Sequence, residues 1–242
     1  MKNIVAIVKM VPDLVEELEI NEDGTDLDRD WLRLIINEFD NHAIEQAILL
    51  KEREGGEVTV IAPEAEGVED MLFTTAAKGA DRMIKLEGDF EDGVNNHALA
   101  RAFAEKTKSY QPDLILTGVQ ANDDLDGSIG PLVAEYLGMP YVGYISGVTI
   151  EGEKALVKKE YPGGLIGEME VTLPAVLGIQ AGEEPPRYVA ISKVRQMMKT
   201  SEIDEQEVPE LDSSGGIAEM IEGDEGEIAA KLVEIFKEVG AL

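Results

Sequence analysis

Cysteine is absent from this 242-residue chain, which excludes disulfide bonds, thiolate metal sites and cysteine nucleophiles. Long apolar runs are also lacking. The first one, Ile4–Val8, has five residues, whereas a membrane-spanning helix needs about 20. Because Lys9 follows it directly, this run indicates a first β-strand rather than a signal or transit peptide. We therefore expect a cytoplasmic protein.

Basic residues are scarce, because the chain has 21 Lys and Arg but 50 Asp and Glu. Its net charge is therefore −29. Nucleic acids and anionic membranes bind positively charged surfaces, so we expect neither as a partner. The acidity is strongest in Thr200–Leu242, which holds thirteen acids and two lysines. This segment is either a solvated tail or an arm that docks on a partner protein.

The order of apolar segments predicts an α/β fold. Strand-like segments occur at Ile4–Val8, Glu57–Ile61, Arg82–Leu86 and Pro112–Thr117. They alternate with helical patterns at Asn41–Arg53, Val68–Lys78, Asn95–Lys108 and Ile129–Leu137. Such alternation predicts a mostly parallel, doubly wound, Rossmann-like sheet with helices on both faces.

The pattern changes after Pro140. Strand-like segments separated by glycine-rich turns follow at Val148–Ile150, Ala155–Lys159, Met169–Leu173 and Ala175–Ile179, and we expect them to form antiparallel additions. A short basic helix is predicted at Ser192–Lys199, an extended stretch at Ser201–Gly226 and an amphipathic helix at Glu227–Val239. We thus expect a nucleotide-binding domain in residues 1–200 and an extended acidic arm in residues 201–242. The terminal helix either docks on a partner or packs back on the domain.

The strongest candidate site is the segment Gly118–Pro131, which follows a buried strand and leads into a helix. Open parallel sheets bind ligands at this position. Ser128 and the amides of Ile129 and Gly130 lie at the helix start, where phosphate binds favourably. The segment also contains acids that suit ribose or adenine contacts, turn formation or a cation: Asp123, Asp124 and Asp126. Because the spacing is not GxGxxG, the simple alternative is a glycine turn before a capped helix.

A second cluster, Ile36–Asn41, directly precedes a helix, so Asp40 or Asn41 could be its N-cap. The nearby Phe39 could contact an adenine. Both histidines, His42 and His97, fall in predicted helices without metal-ligand spacing, and a structural role is expected for each. No nucleophile elbow, P-loop or HExxH motif occurs, so the sequence predicts no catalytic residue and no metal site.

Over residues 1–200 the chain resembles the β subunit of electron-transfer flavoproteins. Besides Gly118–Pro131, the segments that carry the resemblance are Val5–Lys9, Val11–Asp13, Asn37–Asp40, Ala43–Ala47, Leu50–Glu52, Ala76–Arg82, Asp113–Gly118, Leu173–Val176 and Glu184–Tyr188. In the loop, a Gln followed by a group of acids and a Gly is a fairly specific match to the family.

The resemblance implies a non-catalytic electron carrier whose chemistry belongs to its cofactor. Such β subunits pair with a larger α subunit that holds most of the FAD. They relay electrons from flavin dehydrogenases, such as the acyl-CoA dehydrogenases of fatty acid oxidation, to a quinone reductase or another acceptor. In the common class the β subunit binds AMP as a structural ligand, and in electron-bifurcating members a second FAD takes that place.

Matching the family's motifs assigns the cofactor-binding positions to Ile7, Asn37, Glu38, Phe39, Asp40, Ala62, Pro63, Gly118, Val119, Gln120, Ala121, Asn122, Asp123, Asp124, Leu125, Asp126, Gly127, Ser128 and Ile129. It also implies partner-binding positions. A dehydrogenase-docking loop would span Arg187–Met198, with Ile191 as apolar anchor and Lys193, Arg195 and Lys199 as steering charges. Glu160 corresponds to an acid that holds the mobile flavin domain, and the C-terminal arm would cross the α subunit.

Two departures from the family pattern bear on the ligand. Leu14 replaces the aromatic residue that the family often has near the flavin. The core of the loop, Leu125–Ser128, matches neither the AMP-binding nor the bifurcating subclass, although Ile129–Pro131 resembles the bifurcating ending. We favour AMP over a second FAD. The alternative from another class is a stand-alone adenine-nucleotide-binding protein, which would have a tight GxxG phosphate loop and no need for the acidic arm.

Overall fold

The computed structural model describes residues 2–22, 24, 27–28, 32–88, 90, 94–209, 221 and 223–238. The chain divides into two compact units, Met1–Asp212 and Ser213–Leu242. In the first unit the strands are β1 (Asn3–Ile7), β2 (Met10–Pro12), β3 (Leu34–Ile36), β4 (Glu57–Pro63), β5 (Arg82–Glu87), β6 (Leu114–Gly118), β7 (Tyr141–Glu151), β8 (Lys154–Tyr161), β9 (Leu165–Thr172), β10 (Ala175–Ile179) and β11 (Ile203–Glu207). Its helices are α1 (Glu38–Glu54), α2 (Val68–Lys78), α3 (Asn96–Lys108), α4 (Ile129–Leu137) and α5 (Ile191–Thr200).

The second unit contains α6 (Glu225–Glu238), an amphipathic helix that overlaps the predicted terminal helix. Four large apolar side chains of α6 are between 38% and 45% exposed: Leu232, Val233, Ile235 and Phe236. Among the described residues, no helix is long and apolar enough to cross a membrane.

The main sheet of the first unit has the strand order β11-β5-β4-β1-β6-β10-β7-β8-β9. The strands from β11 to β7 are parallel, and β8 and β9 extend the sheet in antiparallel fashion. The predicted α/β fold with a mostly parallel sheet and antiparallel additions is therefore confirmed. The strands β2 and β3 form a separate antiparallel pair.

One strand prediction was wrong, because Ala175–Ile179 is not an antiparallel addition. As β10 it lies between β6 and β7 and is parallel to both. All five of its residues are buried, and a strand that is apolar on both faces is typical of the interior of a parallel sheet.

Alternation along β1 separates two apolar cores. Ile4, Ala6 and Val8 belong to the core shared with side chains of α1 and α2. Val5 and Ile7 belong to the core shared with α3 and α4. The central strand is therefore covered on both faces, and only its ends are open to polar ligands.

The edge strand β11 pairs with β5 although three of its five residues are acidic. The Lys85 ammonium on β5 accounts for this, because it lies 2.7 Å from Glu205 and 2.9 Å from Glu69 on α2. Hydrogen bonds to Glu205 and Glu69 raise the pKa of Lys85. The sheet thus includes residues beyond position 200, and a domain boundary at 200 stays a prediction.

Helix α1 begins before the predicted Asn41. It starts at Glu38, and Asn37 occupies the N-cap position without a side-chain cap bond. The expectation that Asp40 or Asn41 caps this helix was wrong, since both lie inside it. The Asp40 carboxylate turns instead toward backbone amides at the ends of two strands.

Candidate functional site

The ends of β1, β4 and β6 meet at the carboxyl edge of the sheet, where Ile7 pairs with Ile61 on one side and Thr117 on the other. A cavity opens at this edge. Nine of the predicted cofactor-binding residues line it: Ile7, Asn37, Asp40, Gly118, Gln120, Ala121, Asp124, Gly127 and Ile129. The structure thus brings residues of the β6–α4 loop together with residues at the start of α1.

Ten other predicted residues do not line the cavity: Glu38, Phe39, Ala62, Pro63, Val119, Asn122, Asp123, Leu125, Asp126 and Ser128. Conversely, Val8, Lys9, Phe103 and Thr117 line it without having been predicted. For Val8, Lys9 and Thr117 a signal existed, because each lies at the end of a predicted parallel strand. Phe103 lies on α3, and its sequence pattern predicts only a core position.

Side chains close the loop between β6 and α4 over the cavity. The Gln120 amide donates to the carbonyl of Leu125 at 2.6 Å, and the Asn37 amide donates to the carbonyl of Gln120 at 2.9 Å. The Lys9 ammonium pairs with the Asp123 carboxylate at 2.7 Å. The loop is therefore tied both to itself and to the ends of β1 and α1.

The turn of this loop requires glycine at position 127. Gly127 has φ +62°, and a Cβ there would lie 2.3 Å from the carbonyl oxygen of Val119. A larger residue would meet both backbone strain and a steric clash. Glycine at this position therefore permits the turn that brings the loop back against Val119.

A set of anion donors meets at the start of α4. The Thr117 hydroxyl is buried and has no hydrogen-bond partner among the described residues. A Cβ on Gly130 would fall 2.8 Å from that hydroxyl oxygen, so the first turn of α4 packs directly on the end of β6. This turn carries amides without intrahelical partners, and Lys9 adds a cation nearby. The donors suit a phosphate group.

The cavity has a volume of ≈ 20 Å³, which is room for about one water molecule. Pockets that hold small ligands start at about 300 Å³. In this conformation the cavity is therefore too small for a whole nucleotide, and binding one there would require the lining residues to shift.

Asp40 is the most perturbed acid of the site. Its buried carboxylate accepts from the amide of Lys9 at 2.9 Å and from the amide of Gly118 at 2.8 Å. Burial raises the pKa of Asp40 to about 6, because the loss of hydration outweighs these backbone bonds and the nearby Lys9 charge, which lower it.

The predicted docking residues lie on or beside helix α5. Ile191 begins this helix and is 65% exposed, and Lys193 and Arg195 are exposed on it. The preceding Tyr188 is 90% exposed. An apolar pair flanked by cations is thus presented to solvent, as a docking surface requires.

Arg187, the first residue of the predicted docking loop, is held on α1 instead of pointing outward. Its guanidinium donates to Glu45 at 2.8 Å and to Glu52 at 2.6 Å. Its backbone amide also donates to Glu45 at 2.8 Å. Arg187 therefore ties the segment that precedes α5 to helix α1.

Glu160 is exposed on β8, in the hairpin that β8 forms with β9. Beside it, the Lys159 ammonium lies 5.4 Å from the centre of the Tyr144 ring and 5.7 Å from that of Tyr161. The exposed Leu165 and Ile166 add apolar surface to this hairpin. The hairpin and α5 are the two surfaces that carry the predicted partner-binding residues.

Comparison with known proteins identifies the family of this sequence. Residues 27–211 match the family model described as the electron transfer flavoprotein domain. An electron transfer flavoprotein subunit beta from Methylophilus methylotrophus is 33% identical over 98% of both chains. Proteins of the same name from Syntrophomonas wolfei and Thermoanaerobacterium thermosaccharolyticum are 36% and 33% identical over 81% and 83% of this chain, and 76% of each of those proteins is covered. With a fold and a ligand-edge loop that agree with the resemblance in the sequence, the chain belongs to the electron transfer flavoprotein family as a beta subunit.

Proposed function

We propose that this β subunit completes an FAD-bearing heterodimer, binds AMP structurally at the carboxyl edge of its sheet, and relays electrons between flavin proteins. Family membership makes it an electron carrier with an α-subunit partner rather than a catalytic enzyme. When bound, FAD supplies the redox chemistry. The residues of this chain position cofactors and partners.

The AMP assignment is carried mainly by the buried Thr117 hydroxyl at the end of β6, beside the first turn of α4. This hydroxyl has no hydrogen-bond partner in the described part of the chain. A buried hydroxyl without a partner is costly, and a phosphate oxygen would satisfy it. Adjacent N-terminal amides of α4 and the Lys9 ammonium favour the same negative charge. Asn37 and the loop Gly118–Ile129 would surround the nucleoside. Glu38, Phe39, Ala62 and Pro63 would lie outside this first ring of contacts.

The alternative ligand is a second FAD, as in electron-bifurcating relatives. A dinucleotide is much larger than AMP and would require a wider opening of the loop. The loop here is fastened at Lys9, Asn37 and Gln120, which favours the smaller ligand.

Nucleotide analysis of the co-purified heterodimer tests this proposal. The chain is expressed with its neighbouring α subunit, the complex is denatured and the released nucleotides are quantified. We expect one FAD and one AMP per heterodimer. Two FAD would move the complex to the bifurcating class, and a stable nucleotide-bound monomer without a partner would sink the subunit role.

We propose that α5 docks flavin dehydrogenases such as acyl-CoA dehydrogenases, with Ile191 as anchor and Lys193 and Arg195 steering the encounter. Exposed apolar side chains that fill a partner pocket dominate binding energy, and flanking charges raise association rates. A quinone reductase or another acceptor would then oxidise the carrier. Glu160 would hold the flavin domain of the α subunit, and the arm in residues 201–242 would extend across that subunit.

The substitution Ile191→Ala tests the docking role. We expect slower electron uptake from the dehydrogenase at unchanged FAD content. Ile20→Ala is the matched control, because Ile20 is 72% exposed against 65% for Ile191 but lies between β2 and β3, away from both proposed partner-binding surfaces. Equal uptake rates for Ile191→Ala and the native complex would refute docking through α5.

A further inference from the structure

The β2–β3 hairpin, residues 10–36, presents apolar side chains to solvent. Val15 is 91% exposed and Leu14 is 63% exposed, and the nearby Leu18 and Ile20 are exposed as well. None of these side chains belongs to either apolar core. Single apolar residues are normal on protein surfaces, but a cluster of them marks an interaction site.

Hydrogen bonds within the hairpin hold the backbone beneath this apolar cluster. The Asp13 amide donates to the carbonyl of Arg33 at 2.9 Å, and the Asp13 carboxylate accepts from the amide of Val15 at 3.1 Å. Farther along, the Asp28 amide donates to the carbonyl of Glu19 at 2.8 Å. Because the backbone is already ordered, less conformational entropy is lost when a partner binds.

The same hairpin is strongly acidic. Residues 10–28 contain eight Asp and Glu and no Lys or Arg. Glu16, Glu17 and Glu19 are exposed between the apolar side chains, and within the described part of the chain no cation pairs with their carboxylates. A surface that mixes unpaired anions with apolar side chains complements a partner face that is basic and apolar.

The unpaired charges make this hairpin unsuited to the centre of a permanent interface with the α subunit. Permanent interfaces resemble a domain core cut in half, and charged residues are depleted at the centre of an interface. Carboxylates buried there would give up their hydration for the lifetime of the complex, which is costly. In a transient complex, charges around an apolar contact raise the association rate and still allow the partners to separate.

Charge also distinguishes the hairpin from α5, the proposed docking helix for the donor. Lys193 and Arg195 on α5 suit an acidic partner face, and the β2–β3 hairpin would repel such a face. An electron carrier meets two redox partners in turn, and surfaces of opposite charge allow it to discriminate between them. The partner that fits the hairpin is therefore the one that oxidises the carrier.

We propose that residues 14–20 of the β2–β3 hairpin dock the electron acceptor, a protein whose contact face is basic around an apolar centre. This inference rests on the proposed carrier function and names the surface for its second partner. The carboxylates of Glu16, Glu17 and Glu19 steer the encounter, and Val15 inserts into the apolar centre of the acceptor face.

The test uses the dithionite-reduced heterodimer and ferricytochrome c, a basic haem protein, as the protein acceptor. One reduced FAD gives up two electrons and reduces two molecules of ferricytochrome c, which stopped-flow absorbance follows. In the triple variant Glu16→Lys, Glu17→Lys, Glu19→Lys, we expect the second-order rate constant at about 0.1 M ionic strength to fall about tenfold, because electrostatic steering is lost. In about 1 M salt, where exposed charges are screened, the ratio to native should approach one.

A second triple variant, Glu54→Lys, Glu105→Lys, Glu135→Lys, is the charge-matched control. These glutamates are exposed on α1, α3 and α4, outside the hairpin. At about 0.1 M ionic strength a charge acts over about 10 Å, so we expect this variant to slow ferricytochrome c reduction less than about twofold. Equal slowing in the two triple variants would show attraction to net charge alone and would overturn the docking surface.

Two further measurements identify what the hairpin contacts. The hairpin variant should reduce benzoquinone, a small neutral acceptor that needs no docking, at the native rate, and its electron uptake from the dehydrogenase should be unchanged, as in Ile20→Ala. Loss of the α subunit or of FAD from this variant would mean that the hairpin belongs to the subunit interface, and the proposal would be wrong. It would also be wrong if the native complex reduced benzoquinone but not ferricytochrome c. Because dithionite supplies the electrons, a failure of uptake from the dehydrogenase would refute the proposed donor role and leave the hairpin result standing.

Discussion

The two ends of strand β1 are each held by an aspartate, with opposite electrostatic results. At the amino end, Asp113 accepts from the amides of Lys2 and Asn3. At the carboxyl end, Asp40 accepts from the amides of Lys9 and Gly118. Burial raises the pKa of both, but only in partly exposed Asp113 do the backbone bonds outweigh it and lower the pKa overall. In Asp40 the effect of burial is larger than that of the backbone bonds, so the pKa is raised overall.

The difference shows how one motif serves two purposes. Where water still reaches the carboxylate, two backbone donors favour its charged form, and the hydrogen bonds stabilise the fold. Where water is excluded, the same donors leave a charge that is unfavourable at neutral pH, which is common at functional sites. At neutral pH the Asp113 contacts at the amino edge therefore contribute stability, whereas the buried charge of Asp40 at the carboxyl edge costs some of it.

The largest expected effect comes from Gly118→Ala, which forces a Cβ to within 2.3 Å of Asp40 Oδ1. We expect the free energy of unfolding to fall by about 3 kcal/mol, the cost of an overpacked interior, as measured by urea denaturation. Gly147→Ala is the control, because a Cβ there first meets the side chain of Lys158 at 3.4 Å. Similar losses in both variants would mean that the Gly118 contact has no special weight.

Next in size is the contrast between the two aspartates at pH 7.5. Asp113→Asn should lower the free energy of unfolding by about 1.5 kcal/mol, because it weakens two hydrogen bonds to a charged acceptor. Asp40→Asn should change it by less than about 1 kcal/mol, because removing the buried charge offsets the lost bonds. The comparison breaks down if Asp40→Asn proves the more destabilising variant in urea denaturation.

A smaller effect is expected in how the free energy of unfolding of the two Asn variants depends on pH. The folded pKa of Asp40, about 6, exceeds the ordinary 3.8, so the unfavourable charge present at pH 7.5 disappears as pH falls through 6. Relative to native protein, Asp40→Asn should lose about 1 kcal/mol between pH 7.5 and pH 5. The lowered pKa of Asp113 keeps its contribution intact above 3.8, so the Asp113→Asn difference should stay constant. Unfolding curves at both pH values check this; parallel behaviour of the two variants would contradict it.

The smallest effect compares two asparagines. At the amino edge, Asn3 donates to the carbonyls of Tyr110 and Gln111 at 3.1 and 3.2 Å. At the carboxyl edge, Asn37 donates to the carbonyl of Gln120 at 2.9 Å. Each Ala variant should lose about 0.5 kcal/mol of stability, but only Asn37→Ala should weaken AMP binding, as followed by calorimetry. Weaker AMP binding in Asn3→Ala would show that contacts at the amino edge of the sheet also affect the proposed site at its carboxyl edge.

The sequence predicted the parallel core because its strands and helices alternate with clear periodicity. It also located the loop, since strand ends in such a sheet meet at one edge. It missed the central position of β10, because a short apolar strand has the same pattern whichever neighbours it pairs with. The strand β11 was missed because it is acidic, and its place depends on Lys85, a distant residue.

The residues of the candidate site likewise include some that the sequence could predict and some that it could not. Gly118, Gly127 and Ile129 followed from local turn and helix chemistry. Lys9 and Thr117 line the cavity because the neighbouring strands β1 and β6 end side by side at the carboxyl edge of the sheet. The pKa of Asp40 depends on burial beneath the loop, which no spacing in the sequence encodes. Partner roles for Glu160 and Ile191 stay predictions, although both residues are exposed.

The small volume of the cavity affects the expected rate of AMP binding. If the loop must open before AMP enters, the observed association rate should reach a plateau with rising AMP concentration, set by the opening rate. Ligand acquired during folding would then leave slowly and survive dialysis and chromatography. The proposed AMP site would then keep the nucleotide that it acquired during folding and would not follow the AMP concentration of the cell.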